Sequence, residues 1–180
     1  MPAGSSGALT FLATDIVGSV ELWQRNEAAM AVALRVHDRM LREIIPEFGG
    51  QVIKGSGDGV WAAFTWPAAS LDAALAIQAA MRAASWGELG ELRIRIVVHS
   101  GEAELRDGDY YGPTANRLAR LLERAHGGQI LVSEATARLA GPRSLEAFTL
   151  QSVGELRLRN LREPLPVSYT HLTLPTNREV

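Results

Sequence analysis

The pattern of apolar and polar residues divides the chain into short apolar runs and longer amphipathic stretches. The run Ala8–Ile16 is apolar with β-branched residues, which predicts a buried strand that carries Asp15 near its end. From residue 20 to residue 48 apolar residues recur at roughly helical spacing, which predicts one long helix or two joined helices. We expect Pro46 and Gly49-Gly50 to end this segment, because proline lacks a helix donor and glycine adopts the backbone angles of a helix exit.

A glycine-rich bend separates two further strand candidates. The segments 51–55 and 59–66 are largely apolar and are joined by the tripeptide SGD, the separation typical of a tight hairpin. The hairpin would place Lys54 and Asp58 at its tip.

Helices and strands alternate through the rest of the chain. Pro67 suits the first turn of a second helix, and the segment 92–103 alternates Arg with Leu and Ile before it becomes fully apolar. The order of all these elements favours an α/β sandwich, in which helices pack against one mixed sheet. The later predicted elements are a helix at 113–125, a strand at 129–133, a short helix at 133–140 and a strand-like segment at 148–161.

Composition limits the classes of function. The chain has 180 residues, of which 47% are hydrophobic, so it fits one ordinary domain with a buried core. Its net charge of -2 gives no general attraction for nucleic acid or anionic lipid, and we expect neither as a partner. The sequence has 0 cysteines and lacks an apolar run long enough to cross a bilayer, so we expect a cytoplasmic protein without membrane contact.

Two aspartates follow strands that we expect to be neighbours in the sheet. If Asp15 and Asp58 meet at one edge, they offer the hard oxygen ligands that Mg²⁺ takes from a protein, with phosphate and water completing its shell. Either residue alone is more often a cap or a turn former. The loop that follows Asp15, Ile16-Val17-Gly18-Ser19, offers successive backbone N–H groups that could hold a triphosphate.

Other polar and aromatic residues have a structural interpretation beside a functional one. Asn116 and Arg120 are four residues apart and would project from one helical face toward one ligand, although a solvated polar stripe is the alternative. His99 is a single histidine at a strand end and is interpreted as a hydrogen-bonded core residue. The tryptophans Trp23, Trp61 and Trp66 are interpreted as core or dimer contacts.

Four ordered motifs resemble one protein family. The segments FLATDIVGS, KGSGDG, VVHSGE and GDYYGPTANRLARLLERAHGGQILVS are similar, in order and spacing, to the catalytic domain of class III nucleotidyl cyclases. The resemblance covers about residues 9–167 and implies an α+β fold, a ferredoxin-like βαββαβ sandwich with a mixed, mainly antiparallel sheet. It divides the chain into a flexible N-terminus at 1–7, a catalytic domain at 8–167 and a tail outside the family at 168–180.

The resemblance also assigns the metal site and the assembly. Asp15 and Asp58 match the two metal aspartates of the family, with the backbone carbonyl of Ile16 as a further ligand, for two Mg²⁺ or Mn²⁺ ions per site. In this family each active site lies across a head-to-tail homodimer. One chain supplies the metal aspartates, and its partner supplies the residues that bind the purine.

The purine and ribose residues follow from the same motifs. Lys54 and Asp109 match the pair that recognises adenine, whose ring nitrogen accepts a hydrogen bond and whose amine donates one. Asn116 and Arg120 match the pair that orients the ribose and stabilises the transition state. The resemblance therefore implies an adenylate cyclase that converts ATP to 3′,5′-cyclic AMP and pyrophosphate. A guanylate cyclase, and a catalytically weak cyclase-like module that binds nucleotide or dimerises, are the alternatives.

Three features depart from the family pattern. The last hairpin contains Arg157, Arg159 and Arg162 but no lysine, so the residue that contacts the terminal phosphates stays unassigned. Gly55 replaces a frequent threonine. The tail at 168–180 has little core periodicity, and we exclude it from the predicted fold as an artefact or a disordered end.

Overall fold

A computed structural model describes residues 8–141, 150–158 and 164–171 of the chain. The helices are α1 (Ser19–Arg25), α2 (Glu27–Glu47), α3 (Pro67–Ala83), α4 (Pro113–Leu122) and α5 (Glu134–Ala140), with a 3₁₀ turn at Gly87–Leu89. The strands are β1 (Ala8–Ile16), β2 (Gln51–Ser56), β3 (Gly59–Phe64), β4 (Ile94–Glu102), β5 (Glu104–Arg106), β6 (Asp109–Tyr111), β7 (Gln129–Ser133), β8 (Gln151–Leu156) and β9 (Leu165–His171).

Seven of these strands form one sheet in the order β2-β3-β1-β4-β7-β9-β8. Strands β4 and β7 are parallel, and the other neighbouring pairs are antiparallel. The first part of the chain follows the βαββαβ order, with β1 between β3 and β4. This architecture confirms the predicted α+β sandwich with a mixed, mainly antiparallel sheet.

Helices cover both faces of the sheet. Alternate residues of β1 point to opposite faces, so Leu12 joins the core beneath α2 and α3, whereas Phe11 joins a second core. In that second core Leu118 and Leu121 of α4 pack over β1 and β4. The edge pair β2-β3 adds half-buried residues to this core, at the side of the sheet where two of the predicted site residues lie.

The first predicted helical segment consists of two helices. Asn26 separates them: its backbone N–H donates to the carbonyl of Leu22 at 3.1 Å, and its side chain accepts from the amide of Ala29 at 3.0 Å. One asparagine thus ends α1 and caps α2, because its short side chain satisfies a helix donor that otherwise has no partner.

The predicted end of α2 needs a correction. Pro46 lies inside the last turn of α2, which continues to Glu47. The glycines do end it, as predicted: Gly49 has φ 75°, and the amide of Gly50 donates to the carbonyl of Ile45 at 2.9 Å. Proline lacks the N–H that would donate to the carbonyl four residues earlier, and Glu47 alone follows it in the helix, so Pro46 marks the last turn rather than the end itself.

Boundaries in the second half of the chain also differ from the predictions. Helix α4 ends at Leu122 rather than near residue 125, and the loop before it contains the unpredicted hairpin β5-β6. The predicted domain boundary after Val167 is wrong, since β9 continues through residues 168–171, which pair with β7. The predictions for 1–7, for 172–180 and for parts of the segment 148–161 lie outside the described residues.

Candidate active site

Asp15 and Arg95 form an ion pair near the end of β1. The two residues are direct partners in the β1-β4 register, which brings their side chains to the same face. Nε of Arg95 donates to Oδ1 of Asp15 at 2.5 Å, and Nη2 donates to Oδ2 at 2.7 Å. The side chains are 19% exposed for Asp15 and 30% for Arg95, and the bond to Asp15 raises the pKa of Arg95 above its usual value.

Asp58 is tied to the same end of the sheet through the backbone. It lies in the turn between β2 and β3, and its carbonyl accepts a hydrogen bond from the amide of Ile16 at 3.2 Å. A second tie joins the strands there, because the amide of Val60 donates to the hydroxyl of Thr14 at 3.2 Å. The charge of Asp58 also contributes to the raised pKa of Arg95, so both aspartates stabilise the charged form of the same guanidinium.

This pair of carboxylates suits a divalent ion that shares its shell with phosphate. Among the described residues there is no group of three or more His, Cys, Asp or Glu side chains that could enclose a metal. A complete protein cage is absent there, and Mg²⁺ commonly binds through one or two carboxylates together with substrate phosphates. Asp15 and Asp58 have the carboxylate chemistry that such an ion needs, and their role as its ligands stays a prediction. Arg95 holds both oxygens of Asp15, so an ion bound there would share that carboxylate with Arg95.

Two backbone amides of the predicted phosphate loop donate hydrogen bonds within the chain. The amide of Ile16 donates to Asp58, and the amide of Val17 donates to the carbonyl of Arg93 at 2.9 Å. These two N–H groups donate within the chain in this structure, and the assignment of Ile16 and Val17 to substrate binding stays a prediction. Gly18, with φ 66°, precedes the first residue of α1, Ser19, and the contribution of these two residues stays a prediction.

Lys54 and Asp109 contact each other across 55 positions of sequence. Nζ of Lys54 donates to Oδ2 of Asp109 at 2.8 Å and to Oδ1 at 3.1 Å. The amide of Tyr110 also donates to Oδ1 of Asp109 at 2.8 Å. The hydrogen bond from Lys54, followed by that from Tyr110, lowers the pKa of the Asp109 carboxyl. The structure thus brings the two predicted purine residues together in one chain.

The hairpin β5-β6 carries Asp109 to this position. Its turn contains Asp107 and Gly108, which have φ values of 53° and 80°. Two consecutive residues with positive φ are typical of a tight hairpin turn. The ring of Tyr110 then packs edge-on against Phe11 of β1, with 5.0 Å between the ring centroids, and this contact fixes the hairpin over the second core.

Asn116 and Arg120 lie on the outer side of α4. The helix is fixed against β4, since the hydroxyl of Thr114 donates to the carbonyl of Glu102 at 2.5 Å. Asn116 is exposed, and Nη1 of Arg120 donates to Glu123 at 2.9 Å. Their catalytic roles stay predictions. Among the described residues, no hydrogen bond or ion pair joins the Asp15–Arg95 pair to the Lys54–Asp109 pair.

His99 is a buried structural residue, as the sequence indicated. It is 2% exposed, and its Nδ1 lies 2.8 Å from the hydroxyl of Ser133. Ser133 and Ser100 both contact the hydroxyl of Thr136, at 3.1 and 3.0 Å, so a polar network links β4, β7 and α5. Burial, with a smaller effect of the Arg117 charge, lowers the pKa of His99 to about 4, and the ring is neutral at pH 7.

Two residues of the site were missed by sequence reasoning. In the sequence Arg95 was recognised only as part of the alternating strand 92–103. The β1-β4 register, which places Arg95 opposite Asp15, is the signal that identifies it as a partner of that carboxylate. Trp61 was interpreted as a core or dimer residue, and its contact with Lys54 was missed. The β2-β3 register produces this contact, and the sequence does not show that register.

Comparison with known proteins identifies the class. The sequence model for the adenylate and guanylate cyclase catalytic domain matches residues 1–169. An uncharacterized protein of Mycobacterium tuberculosis is 38% identical over 161 residues, which are 88% of this chain and 54% of that protein. An adenylate cyclase of Schizosaccharomyces pombe is 29% identical over 184 residues, which are 87% of this chain and 11% of that protein.

The fold is shared with a solved structure as well. An adenylate cyclase of Trypanosoma brucei, determined in its monomeric state, superposes with a TM-score of 0.89 at 24% identity, over 99% of this chain and 94% of that one. The chain belongs to the family of adenylate and guanylate cyclase catalytic domains. It spans about half the length of the mycobacterial relative. None of the helices in the described parts is both long and apolar enough to span a membrane.

Proposed function

We propose that the chain is an adenylate cyclase that converts ATP to 3′,5′-cyclic AMP and pyrophosphate at the interface of a head-to-tail homodimer. The observation that carries the proposal is the paired Lys54 and Asp109, a donor and an acceptor side by side. The same chain also carries Asp15 and Asp58 at the end of its sheet. A cytoplasmic location completes the proposal, in line with the sequence that has 0 cysteines.

The carboxylates Asp15 and Asp58, with the carbonyl of Ile16, would hold two Mg²⁺ or Mn²⁺ ions. When bound, such ions lower the pKa of the ribose 3′-hydroxyl and neutralise the charge that develops on the phosphates. Arg95 binds both oxygens of Asp15, so a metal ion at that carboxylate would share it with the guanidinium or displace it.

The purine pair supports ATP over GTP. Lys54 can donate to a ring nitrogen of adenine, and the carboxylate of Asp109 can accept from the exocyclic amine. Guanine has a carbonyl in place of that amine, and it would face the carboxylate without a hydrogen bond. The lowered pKa of Asp109 keeps its carboxyl ionised as an acceptor. A preference for GTP is the alternative that the family leaves open.

Asn116 and Arg120 would act on the reacting part of the nucleotide. The amide of Asn116 would orient the ribose, and Arg120 would neutralise charge as the 3′ oxygen bonds to the α-phosphorus and the bond to pyrophosphate breaks. Arg120 is partly exposed and paired with Glu123, an i,i+3 contact that costs little to break. Both residues are therefore accessible to a ligand.

The lack of a described hydrogen bond or ion pair between the two residue groups supports the proposal of a site formed by two chains. Among the described residues of one chain, no hydrogen bond or ion pair joins Asp15 and Arg95 to Lys54 and Asp109. A site that needs both groups is completed if each chain supplies one of them to a two-fold partner. A symmetric dimer of this kind has two equivalent sites.

A turnover assay tests the proposal. The purified chain is incubated with ATP or GTP and Mn²⁺ at several protein concentrations, and cyclic nucleotide is measured. We expect cyclic AMP as the main product and a specific activity that falls on dilution. Asp58→Asn should abolish turnover, whereas Asp72→Asn, at an exposed position of α3, should not. A chain no more active than its Asp58→Asn variant would be a cyclase-like binding module instead.

Mixing two inactive variants tests the shared site. Asp58→Asn lacks the metal side, and Arg120→Ala lacks the transition-state residue, which we propose comes from the chain that supplies the purine pair, so each homodimer should be inactive. A mixed dimer has one site with both defects and one intact site. Equal mixing should therefore restore about a quarter of the wild-type activity. No recovery at any ratio would contradict the head-to-tail arrangement.

A further inference from the structure

Strand β2 contains a bulge that turns Lys54 onto the face of the second core. In the β2-β3 register Val52 pairs with Ala62 and Lys54 pairs with Trp61, so Ile53 is an extra residue in β2. Without this extra residue Lys54 would point to the opposite face, because side chains alternate along a strand. The bulge therefore brings Lys54 to the same side of the sheet as Trp61.

The ammonium of Lys54 is held from two sides on that face. Its Nζ lies 4.8 Å from the centroid of the Trp61 ring, within the range of a cation–π contact. Asp109 receives two hydrogen bonds from the same ammonium, at 2.8 and 3.1 Å. A lysine side chain has four rotatable bonds, and an aromatic face beside it reduces the positions that the ammonium can take.

Trp61 itself is fixed in the sheet. It is half-buried and packs against the second core, and its register partner on β1 is Ala13. Trp66, five residues later, is 73% exposed and precedes α3. Of these two tryptophans, Trp61 is the one whose ring contacts Lys54.

We propose that Trp61 is a positioning residue that holds the Lys54 ammonium against Asp109 and so contributes to the choice between ATP and GTP. The inference rests on the proposed function for its link to the substrate, but the contact itself does not. Trp61 acts through Lys54. Its loss should therefore alter nucleotide affinity and selectivity more than the rate of the chemical step.

The first experiment measures the contact without turnover. The carboxyl of Asp109 is titrated by NMR in the wild-type chain and in Trp61→Leu, Trp61→Phe and Trp66→Leu, with Asp109→Asn to assign the signal. Because Lys54 lowers the pKa of Asp109, a freed Lys54 should let that pKa rise. We expect the rise in Trp61→Leu, a smaller rise in Trp61→Phe and none in Trp66→Leu.

The second experiment measures kcat and KM for ATP and GTP in the same variants. In Trp61→Leu we expect KM for ATP to increase about threefold to tenfold, with kcat changed less than about twofold, the size that one cation–π contact supports. The ratio of ATP to GTP specificity should fall by the same factor. Trp61→Phe should recover most of both values, since it keeps an aromatic face.

The outcomes separate the two proposals. If Trp61→Leu lowers kcat and thermal stability but leaves the Asp109 pKa and the ATP to GTP ratio unchanged, Trp61 is a structural residue and the inference is wrong. If the wild-type chain makes no cyclic nucleotide, the proposed function fails, and the Asp109 titration still decides whether Trp61 holds Lys54. An unchanged titration in Trp61→Leu overturns the inference whatever the activity.

Discussion

Two regions of the sheet bear charged pairs of different construction. The central ladder, formed by β1, β4 and β7, holds the Asp15–Arg95 pair, whose members are register partners on adjacent strands. The hairpin corner, formed by β2-β3 and β5-β6, holds the Lys54–Asp109 pair, whose members come from different hairpins. Asp15 and Arg95 are 19% and 30% exposed, and Lys54 and Asp109 are 40% and 32% exposed.

From this difference we expect the two regions to differ in rigidity. In the central ladder the backbone hydrogen bonds of two long strands fix both Cα positions, so the ion pair follows from the register. In the hairpin corner the contact depends on a bulge, a three-residue strand and side-chain packing against Phe11. We expect changes in the ladder to affect both stability and catalysis, and changes in the corner to affect mainly substrate choice.

The largest expected effect is that of Asp15→Asn in the central ladder. It removes a predicted metal ligand, so kcat for ATP should fall about a thousandfold, as expected for the loss of several kcal/mol of transition-state stabilisation. It also leaves the Arg95 charge without its counter-ion, which should lower the free energy of unfolding by about 1 to 3 kcal/mol. Turnover assays and urea unfolding measure the two effects.

Glu91→Gln is the matched control for that stability effect. Glu91 lies 3.6 Å from Arg93, and the two side chains are 74% and 60% exposed. An exposed pair of this kind contributes less than about 0.5 kcal/mol. If Asp15→Asn and Glu91→Gln change the free energy of unfolding equally, the Asp15–Arg95 pair does not stabilise the ladder.

The second expected effect is a loss of stability at acid pH that also arises in the central ladder. The folded pKa of His99 is lowered to about 4 from 6.5, so between these values the unfolded chain binds a proton that the folded chain does not. The contribution is fully present above pH 6.5 and is lost as pH falls toward 4, by on the order of 3 kcal/mol. His37 is also buried with a lowered pKa and acts in the same direction.

Urea unfolding between pH 7 and pH 4.5 measures this effect. His99→Asn should flatten the profile, because asparagine has no proton to bind in this range. A variant profile as steep as that of the wild-type chain would show that His99 is not the group responsible. NMR titration of the His99 ring in the folded wild-type chain gives an independent value.

The third expected effect is that of Lys54→Gln in the hairpin corner. It keeps a donor but removes the charge, so kcat/KM for ATP should fall about tenfold to a hundredfold while GTP is affected less. The free energy of unfolding should change little, because the pair is partly exposed. Asp109→Asn added to Lys54→Gln should lose less than the sum of the two single effects.

The smallest expected effect is the response of the two regions to salt. At 1 M salt the screening length is about 3 Å, so the effect of Lys54 on Asp109 should weaken and the pKa of Asp109 should rise. The difference in unfolding free energy between wild type and Asp15→Asn should change little, since that pair is less exposed. NMR titration and urea unfolding at two salt concentrations give both quantities. The comparison would be contradicted if salt left the pKa of Asp109 unchanged, or if it reduced the difference in unfolding free energy between wild type and Asp15→Asn as strongly as it weakened the effect of Lys54 on Asp109.

Periodicity in the sequence predicted most of the elements of the fold. The apolar runs in the sequence predicted the strands β1, β3, β4 and β7, which are buried on one or both faces. The apolar stripes at helical spacing predicted α3 and α4. The hairpin β5-β6 was missed, because three-residue strands contain too few residues to show an alternation. The end of the domain was misplaced, because β9 is stabilised by pairing with β7 and β8 rather than by its own composition.

The sequence by itself determined which residues we predict to carry the chemistry, since the order and spacing of the motifs around Asp15, Lys54, Asp58 and Asp109 are a local property. Only the tertiary structure decided which atoms meet. The β1-β4 register gave Asp15 its partner Arg95, and the bulge in β2 turned Lys54 toward Trp61 and Asp109. The tertiary structure also engages the backbone amides of Ile16 and Val17 in hydrogen bonds within the chain. The physical reason is that hydrogen bonds and ion pairs depend on atoms brought together by strand pairing, and a shift of one residue reverses the face of a side chain.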